Sequence, residues 1–407
     1  MIRELSLDEF TNFAKKNILG NFHQTFNYAL LKAEEGYDYE LIGFFEANTL
    51  MGASLVLTKK IHGFKYGYAP RGFLLDYSNK YILKEFTYAI KSYYKKKNYI
   101  FIKINPEIAI GEYNYKNKVI VYNSNKIIID NLINCGYKKL KNNENFESIL
   151  PRMNPIIQTK NFNLKNINKN TRNKINKGIT KGLYLEKGNI KDIDNFYNLV
   201  KNKRNKDKIY YNYIYNIFNK QNNIDLFLIK IDYKKYLINS QKIYHDELRK
   251  NNILNAQIVV KNTNKNINKK LNSDKALESY KNDINEASKN INKNINTTIA
   301  GALAIKYKNR VTIYISGFDK NYSSYSPNYF LYYSLIEYYK RDYDYIDLNG
   351  ITASLNKENK YYGLNKFKTG FKPNIYEYIG EFDLVLNENI YNFFVKTNLL
   401  SKEFNNY

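Results

Sequence analysis

The sequence predicts an α/β chain with mixed sheets, built as two tandem units with a two-helix arm inserted in the second. Three observations carry this. Apolar strand-like runs and one helix-like stretch recur in the same order in both halves. A long polar insertion in the second half has apolar residues at alternating three- and four-residue spacing. Finally, 407 residues of which 43% are hydrophobic suffice for two or three packed cores, which excludes a disordered chain.

In the first half, strand-like runs occupy 40–46, 52–58 and 64–69; a helix is predicted over 81–96 and a strand over 99–104. In the second half the same order appears as strands at 225–231, 298–305 and 311–316, a helix over 328–339 and a strand over 345–348. Strand, strand, strand, helix, strand with a mixed sheet is the order of an N-acyltransferase (GNAT-like) unit, so two tandem GNAT-like domains are expected. The boundaries read as 1–150 for the first domain, with the tail 381–407 packing back on it, and 151–231 plus 297–380 for the second.

The arm is 232–296. Leu277, Tyr280, Ile284, Ala287, Ile291 and then Asn294-Ile295 trace a coiled-coil seam, with Leu237, Tyr244 and Leu248 less regular before it. The Asn-rich run 262–272 reads as the turn and Ser273 as the N-cap of the second helix, giving an antiparallel two-helix coiled-coil arm. Such an arm suits contact with nucleic acid or a partner rather than a spacer.

Composition narrows the chemistry. No apolar run approaches the roughly 20 residues of a membrane helix, and the start Met1-Ile2-Arg3-Glu4-Leu5 lacks the apolar core of a signal peptide. The one cysteine, Cys135, sits at a predicted helix end and excludes an internal disulfide framework, as a reducing compartment would require. His23, His62 and His245 are scattered, which argues against a histidine-based triad or a zinc site. The net charge of +26 suits a polyanionic partner. Lys, Asn, Ile, Tyr and Phe are all residues of A/T-rich codons, so the charge by itself is a weak argument. A basic run between the halves, 164–182, adds position to charge. If helical throughout, it puts Lys165, Lys169 and Arg172 on one face, with Lys174 in the same run and Ile175 and Ile179 stacked.

The segment Tyr362-Gly363-Leu364-Asn365-Lys366-Phe367-Lys368-Thr369-Gly370-Phe371, followed by Glu377-Tyr378-Ile379-Gly380-Glu381-Phe382-Asp383, stands out. Read alone it is a strand running into glycine turns at Gly370 and Gly380, with Phe367 an apolar wall beside the fixed charge of Lys368. A solvated lysine at a strand end is the competing reading.

These two stretches resemble the C-terminal signature of the Fem (FemABX) family, the aminoacyl-tRNA-dependent transferases that build peptidoglycan cross-bridges. Further segments agree in order along nearly the whole chain: Gln24-Thr25-Phe26-Asn27-Tyr28 with Lys32, the stretch Tyr68-Ala69-Pro70-Arg71-Gly72-Phe73, then Lys103-Ile104-Asn105-Pro106-Glu107, the run around Thr171-Arg172-Asn173-Lys174, and the turn from Asp347 to Gly350. The arm resembles that of members acting on lipid-linked precursors.

The resemblance implies that Tyr28 and Lys32 face the precursor, Lys32 pairing with its phosphates, and that Tyr213 and Tyr314 line the same site. It implies Lys368 as the lysine that stabilises the oxyanion, with Phe367 beside it, and Lys165, Lys169, Arg172 and Lys174 as tRNA contacts. Asn105 departs from the pattern: several members carry an aspartate there, and an amide can position an amine without taking its proton. Lys208 is the nearest match to a second phosphate-binding cation. The expected partners are an aminoacyl-tRNA donor and a peptidoglycan precursor, lipid-linked or UDP-linked, with no cofactor or metal. The expected place is the cytoplasm, at the inner face of the membrane where a lipid-linked acceptor is met. Two other readings stay open. An acyl-CoA N-acyltransferase would need a glycine-rich pyrophosphate loop ahead of a helix, and 75–80 and 323–328 are not glycine-rich. A non-catalytic tRNA- or surface-binding protein would make Lys368 dispensable.

Overall fold

A computed structural model describes the chain apart from residues 148, 204, 292–296 and 405–406. Among the described residues two mixed sheets, of seven and nine strands, form the frame. In the first sheet the antiparallel strands Asp38–Glu46, Thr49–Ile61 and Phe64–Ala69 follow one another, and Tyr99–Ile104 then pairs parallel to the third. The crossover is the helix Lys80–Lys96, capped by Asn79 and burying Ile82, Leu83, Phe86 and Ile90 along one stripe. The second sheet repeats the plan with Ile224–Ile231, Thr298–Tyr307 and Arg310–Phe318, the crossover helix Pro327–Tyr339 and the parallel strand Tyr345–Asp347. The architecture is two tandem GNAT-like units.

The sheets also exchange strands. Phe382–Val385 from the C-terminal segment sits between Tyr99–Ile104 and Tyr137–Lys139 in the first sheet. In the other direction, the hairpin Ala109–Asn114 and Val119–Tyr122 extends the second sheet through Asn374–Tyr378, although a boundary at residue 150 would assign it to the first unit. Backbone donors left at a sheet edge find partners in whichever sheet is adjacent, and hydrophobic pattern does not report which one that is. The tail is fixed by a fully buried charge cluster: Lys103 Nζ lies 3.1 Å from Asp383 Oδ1 and 3.7 Å from Glu381 Oε2, and Tyr391 donates to Asp383 at 2.9 Å.

The arm consists of the helices Tyr233–Val260 and Asn264–Ile291, packed antiparallel, with Asn251 opposite Ser273 and Tyr236 opposite Glu286. Leu277, Tyr280, Ile284, Ala287 and Ile291 face the partner helix, as the spacing predicts, while Asn294 and Ile295 lie outside the described residues. The predicted turn is corrected. The second helix begins at Asn264, and Ser273 is not an N-cap but a buried seam residue, accepting from Asn251 and donating to Glu247 at 2.7 Å. Asparagines favour turns locally, but here inward-facing positions at 267, 270 and 273 continue the seam through the run. At its root the arm is clamped to the body by Lys181, 2.7 Å from Asp283.

Candidate active site

The segment carrying Lys368 is not a strand. Residues Tyr362–Thr369 form a helix, fixed by tertiary bonds: Asn365 donates to Thr352 Oγ1 at 2.6 Å and to the Ser354 carbonyl at 2.9 Å. Gly370 is helical rather than a turn. A Cβ there would come within 2.1 Å of Thr171 Oγ1, so glycine is required for close approach of the helix Lys169–Thr180. Gly380, with φ of +89°, does take the left-handed turn.

Lys368 is 6% exposed and not a solvated strand-end lysine. Its Nζ donates to the carbonyls of Asn349 at 3.0 Å and Gly350 at 2.9 Å, on the turn that follows the strand Tyr345–Asp347. Asn349 takes the left-handed conformation there, φ 64°, which asparagine tolerates better than most residues.

Two cavities meet at this lysine. The first, about 530 Å³, lies between the two units and is lined by Tyr28, Lys32, Arg71, Arg310, Tyr314 and Asp347 together with Lys368. The second, about 330 Å³, lies within the second unit, between residues 313–318 and the helices that carry Tyr332 and Phe367. Tyr314, Asn349 and Lys368 line both. Phe367 packs edge-on against Tyr329 and Tyr332, each 4.8 Å away, and so closes the second cavity with an aromatic wall. Burial pushes the Tyr332 hydroxyl up to about 12, so it stays a neutral hydrogen-bonding group at physiological pH.

The inter-unit cavity is rich in charge: Lys32, Arg71, Lys308, Arg310 and Lys368 outnumber the lining carboxylates Glu107, Glu147 and Asp347. Lys32 is held 3.1 Å from Glu35 Oε2 and 5.6 Å from the Tyr28 ring centroid. Arg310 pairs with Glu107, which also accepts from Tyr378 at 3.1 Å. Burial would raise the Glu107 carboxyl, but Arg310 and Arg71 more than offset it, and it lies below the usual range. Asp347 differs: burial dominates over Arg310, and its carboxyl lies above the usual range. His23 is held neutral by burial and by the nearby Arg71, Lys32 and Arg310.

The sequence model of the FemAB family matches residues 5–398. This chain belongs to the FemAB family. It is 26% identical over 394 residues to the lipid II:glycine glycyltransferase of Staphylococcus epidermidis, covering 93% of this chain and 91% of that protein. It is 24% identical over 424 residues to the aminoacyltransferase FemA of the same organism, covering 98% and 99%. The crystal structure of FemX superposes with a TM-score of 0.74 at 20% identity, covering 97% of this chain and 99% of that one, which shows the shared fold.

Within this FemAB fold the predicted site residues divide. Tyr28, Lys32, Tyr314 and Lys368 converge on the inter-unit cavity and Phe367 on the second. Asn105 lines neither. It is buried behind Arg71, its Oδ1 accepting the Arg71 N–H at 2.8 Å and its Nδ2 donating to the Tyr68 hydroxyl at 3.2 Å. Tyr213, on the helix Lys208–Asn219, packs half-buried against the hydrophobic core, and Tyr210 on the same helix meets the Tyr314 hydroxyl instead, at 2.9 Å. One helical turn separates the two tyrosines. Lys208 points to Asp194 at 3.2 Å, and Lys206 is the cation that shares Glu35 with Lys32, at 3.2 Å.

The basic run is helical only from Lys169 to Thr180; Lys165 precedes the helix and is tied to it by Arg172, which donates to its carbonyl at 2.7 Å. Ile175 is buried and Ile179 exposed, so the two do not form one packed pair. Lys165, Lys169 and Lys174 are exposed, and Lys174 lies 4.3 Å above the Tyr329 ring that packs on Phe367. The basic surface therefore adjoins the aromatic wall of the second cavity. Arg71, Arg310, Glu107 and Asp347 received no role from sequence. Arg71, Glu107 and Asp347 lie inside segments that carry the family resemblance, but Arg310 has no local signal.

Proposed function

We propose that this protein transfers an amino acid from aminoacyl-tRNA to the side-chain amine of the stem peptide of a peptidoglycan precursor, building the interpeptide bridge. The observation that carries the reading is the meeting of two cavities at Lys368. The names of the relatives, lipid II:glycine glycyltransferase and aminoacyltransferase FemA, agree with it. The precursor occupies the inter-unit cavity, where Lys32, Arg71 and Arg310 suit its phosphates. The aminoacylated 3′ end enters the second cavity past the basic helix Lys169–Thr180, with Lys165, Lys169, Arg172 and Lys174 on the tRNA backbone.

The donor ester is already activated, so the protein's task is proximity and stabilisation of the tetrahedral oxyanion. Lys368 supplies a positive charge where the two cavities join, in a setting largely removed from water, and such a donor contributes on the order of 2–4 kcal/mol to the barrier. Among the described residues no helix is long and apolar enough to cross a membrane. A lipid-linked acceptor would bring the protein to the inner face of the cell membrane. The test is incubation with a mixture of charged tRNAs and lipid-linked precursor, followed by mass measurement. A precursor gaining amino-acid residues supports the reading; acylation from acyl-CoA alone, or no gain in mass, contradicts it.

A further inference from the structure

Joining an ammonium to an ester releases one proton, and the cavity holds four ionisable groups that could take it: His23, Glu107, Glu147 and Asp347. Three are spoken for. His23 is held neutral but made a weak base by burial and by the cations around it. Glu107 is locked to Arg310 and Tyr378, and Glu147 to Arg152 at 2.8 Å. Asp347 is bonded only to neutral donors, the Asn349 N–H at 2.8 Å and Asn154 Nδ2 at 3.1 Å. Among the described residues no lysine or arginine nitrogen is within 4.0 Å of it; Arg310, Glu107, Tyr332 and Tyr378 act on it at longer range. It ends the strand Tyr345–Asp347, and its turn presents the carbonyls that hold Lys368.

We propose that Asp347 is the acceptor-side base of the transfer, its carboxylate taking the proton that leaves the acceptor ammonium. This rests on the reading that the inter-unit cavity holds the acceptor amine. Asp347 takes one N–H proton and frees the nitrogen lone pair. That pair forms the C–N bond at the ester carbonyl, and the C=O π pair moves onto the oxygen beside Lys368. The adduct nitrogen then loses a second proton, the oxyanion pair re-forms the C=O bond as the C–O bond to the ribose breaks, and the ribose oxygen keeps that bond pair, takes the second proton and leaves as a hydroxyl. The proton on Asp347 passes to solvent, one per transfer. Asn105, at the corresponding strand end of the first unit, cannot do this, because an amide does not titrate.

The experiment compares wild type with Asp347→Asn in single turnovers at saturating aminoacyl-tRNA and precursor, from about pH 6 to about pH 9, with a precursor binding isotherm. Asparagine keeps an acceptor for the Asn349 N–H. The expected result is a loss of roughly 10²–10³-fold near neutrality at unchanged precursor affinity. The deficit should shrink about tenfold per pH unit as the acceptor amine deprotonates unaided. A deficit constant across pH, a wild-type profile, or a loss explained by weaker precursor binding overturns the proposal. If Asp347→Asn does not fold, Asp347→Glu decides. A rising acid-side limb retained with a displaced midpoint supports the base, and a pH-independent loss overturns it. Wild type that transfers nothing removes the underlying reading of function, and Asp347 with it; wild type that transfers while Asp347→Asn matches it removes Asp347 alone.

Discussion

The two units share a frame, and beyond the arm carried by the second they differ at the end of the parallel strand pair. In the first unit Phe64–Ala69 and Tyr99–Ile104 stop together, Ala69 opposite Ile104, and Asn105 staples the exit by bonding Arg71 and Tyr68. In the second unit the pairing ends with Thr312 opposite Asp347, while the longer strand runs on to Phe318. All six residues from 313 to 318 then line the second cavity. A strand that outlives its parallel partner must satisfy its backbone and side chains elsewhere, and here it borders a cleft on its way past the core residues Ile313 and Ile315. The duplication thus keeps one exit closed and leaves the other open, and the proposed chemistry uses the open one.

The largest effect should come from the open end. Lys368→Met keeps the stem volume and removes the charge. Single-turnover rate should fall roughly 10²–10³-fold with precursor affinity little changed. An unchanged rate would remove the lysine from the mechanism, and lost affinity with normal saturated turnover would recast it as a phosphate grip.

Closing the open end comes next. Ser316 borders the second cavity and bonds the Tyr332 hydroxyl at 3.1 Å. Ser316→Phe should lower kcat/KM for the donor by about 10²-fold, since small misplacements of a reacting group cost that much, and leave precursor binding intact. Equal loss for both substrates would show that the cavities do not divide the labour.

Shortening the arm by replacing residues 244–280 with a tight turn keeps the root contacts of Tyr236, Lys181 and Glu286. The melting temperature of the body should not move, because the seam packs on itself. Affinity for tRNA, and the slope of log affinity against log salt, should fall; unchanged values would make the arm a spacer.

At the closed end the effects are smaller. Asn105→Ala removes the staple and should cost about 1–3 kcal/mol in stability with only a few-fold loss of rate, whereas Asn105→Asp keeps the acceptor for Arg71 and should stay active. Asp347→Asn should behave oppositely. A buried carboxyl whose folded pKa is raised binds more protons in the folded state than in the unfolded one. Stability therefore falls as pH rises from the unfolded value through the folded one. The asparagine variant lacks that fall, so at neutral pH its melting temperature should equal or exceed wild type, and a marked drop would contradict the assignment.

Sequence reveals the repeated frame because strand alternation and helical stripes are local signals, and it reveals Lys368 because its neighbours form a motif. It misreads the helix Tyr362–Thr369 because that helix is short and depends on bonds from Asn365 to Thr352 and Ser354. It misplaces the arm's turn because asparagine's local preference outweighs a seam whose apolar members are sparse. It cannot see the exchange of strands between sheets, nor that Arg310 faces Glu107 across the two units, since both are products of packing between distant segments.

The most direct test of the open and closed ends is a crystal structure with a non-hydrolysable 3′-aminoacyl mimic of the tRNA terminus. The account predicts density along residues 313–318 with the acyl carbonyl oxygen facing Lys368 Nζ. Density at the exit closed by Asn105, or confined to the inter-unit cavity beside Lys32, would contradict it.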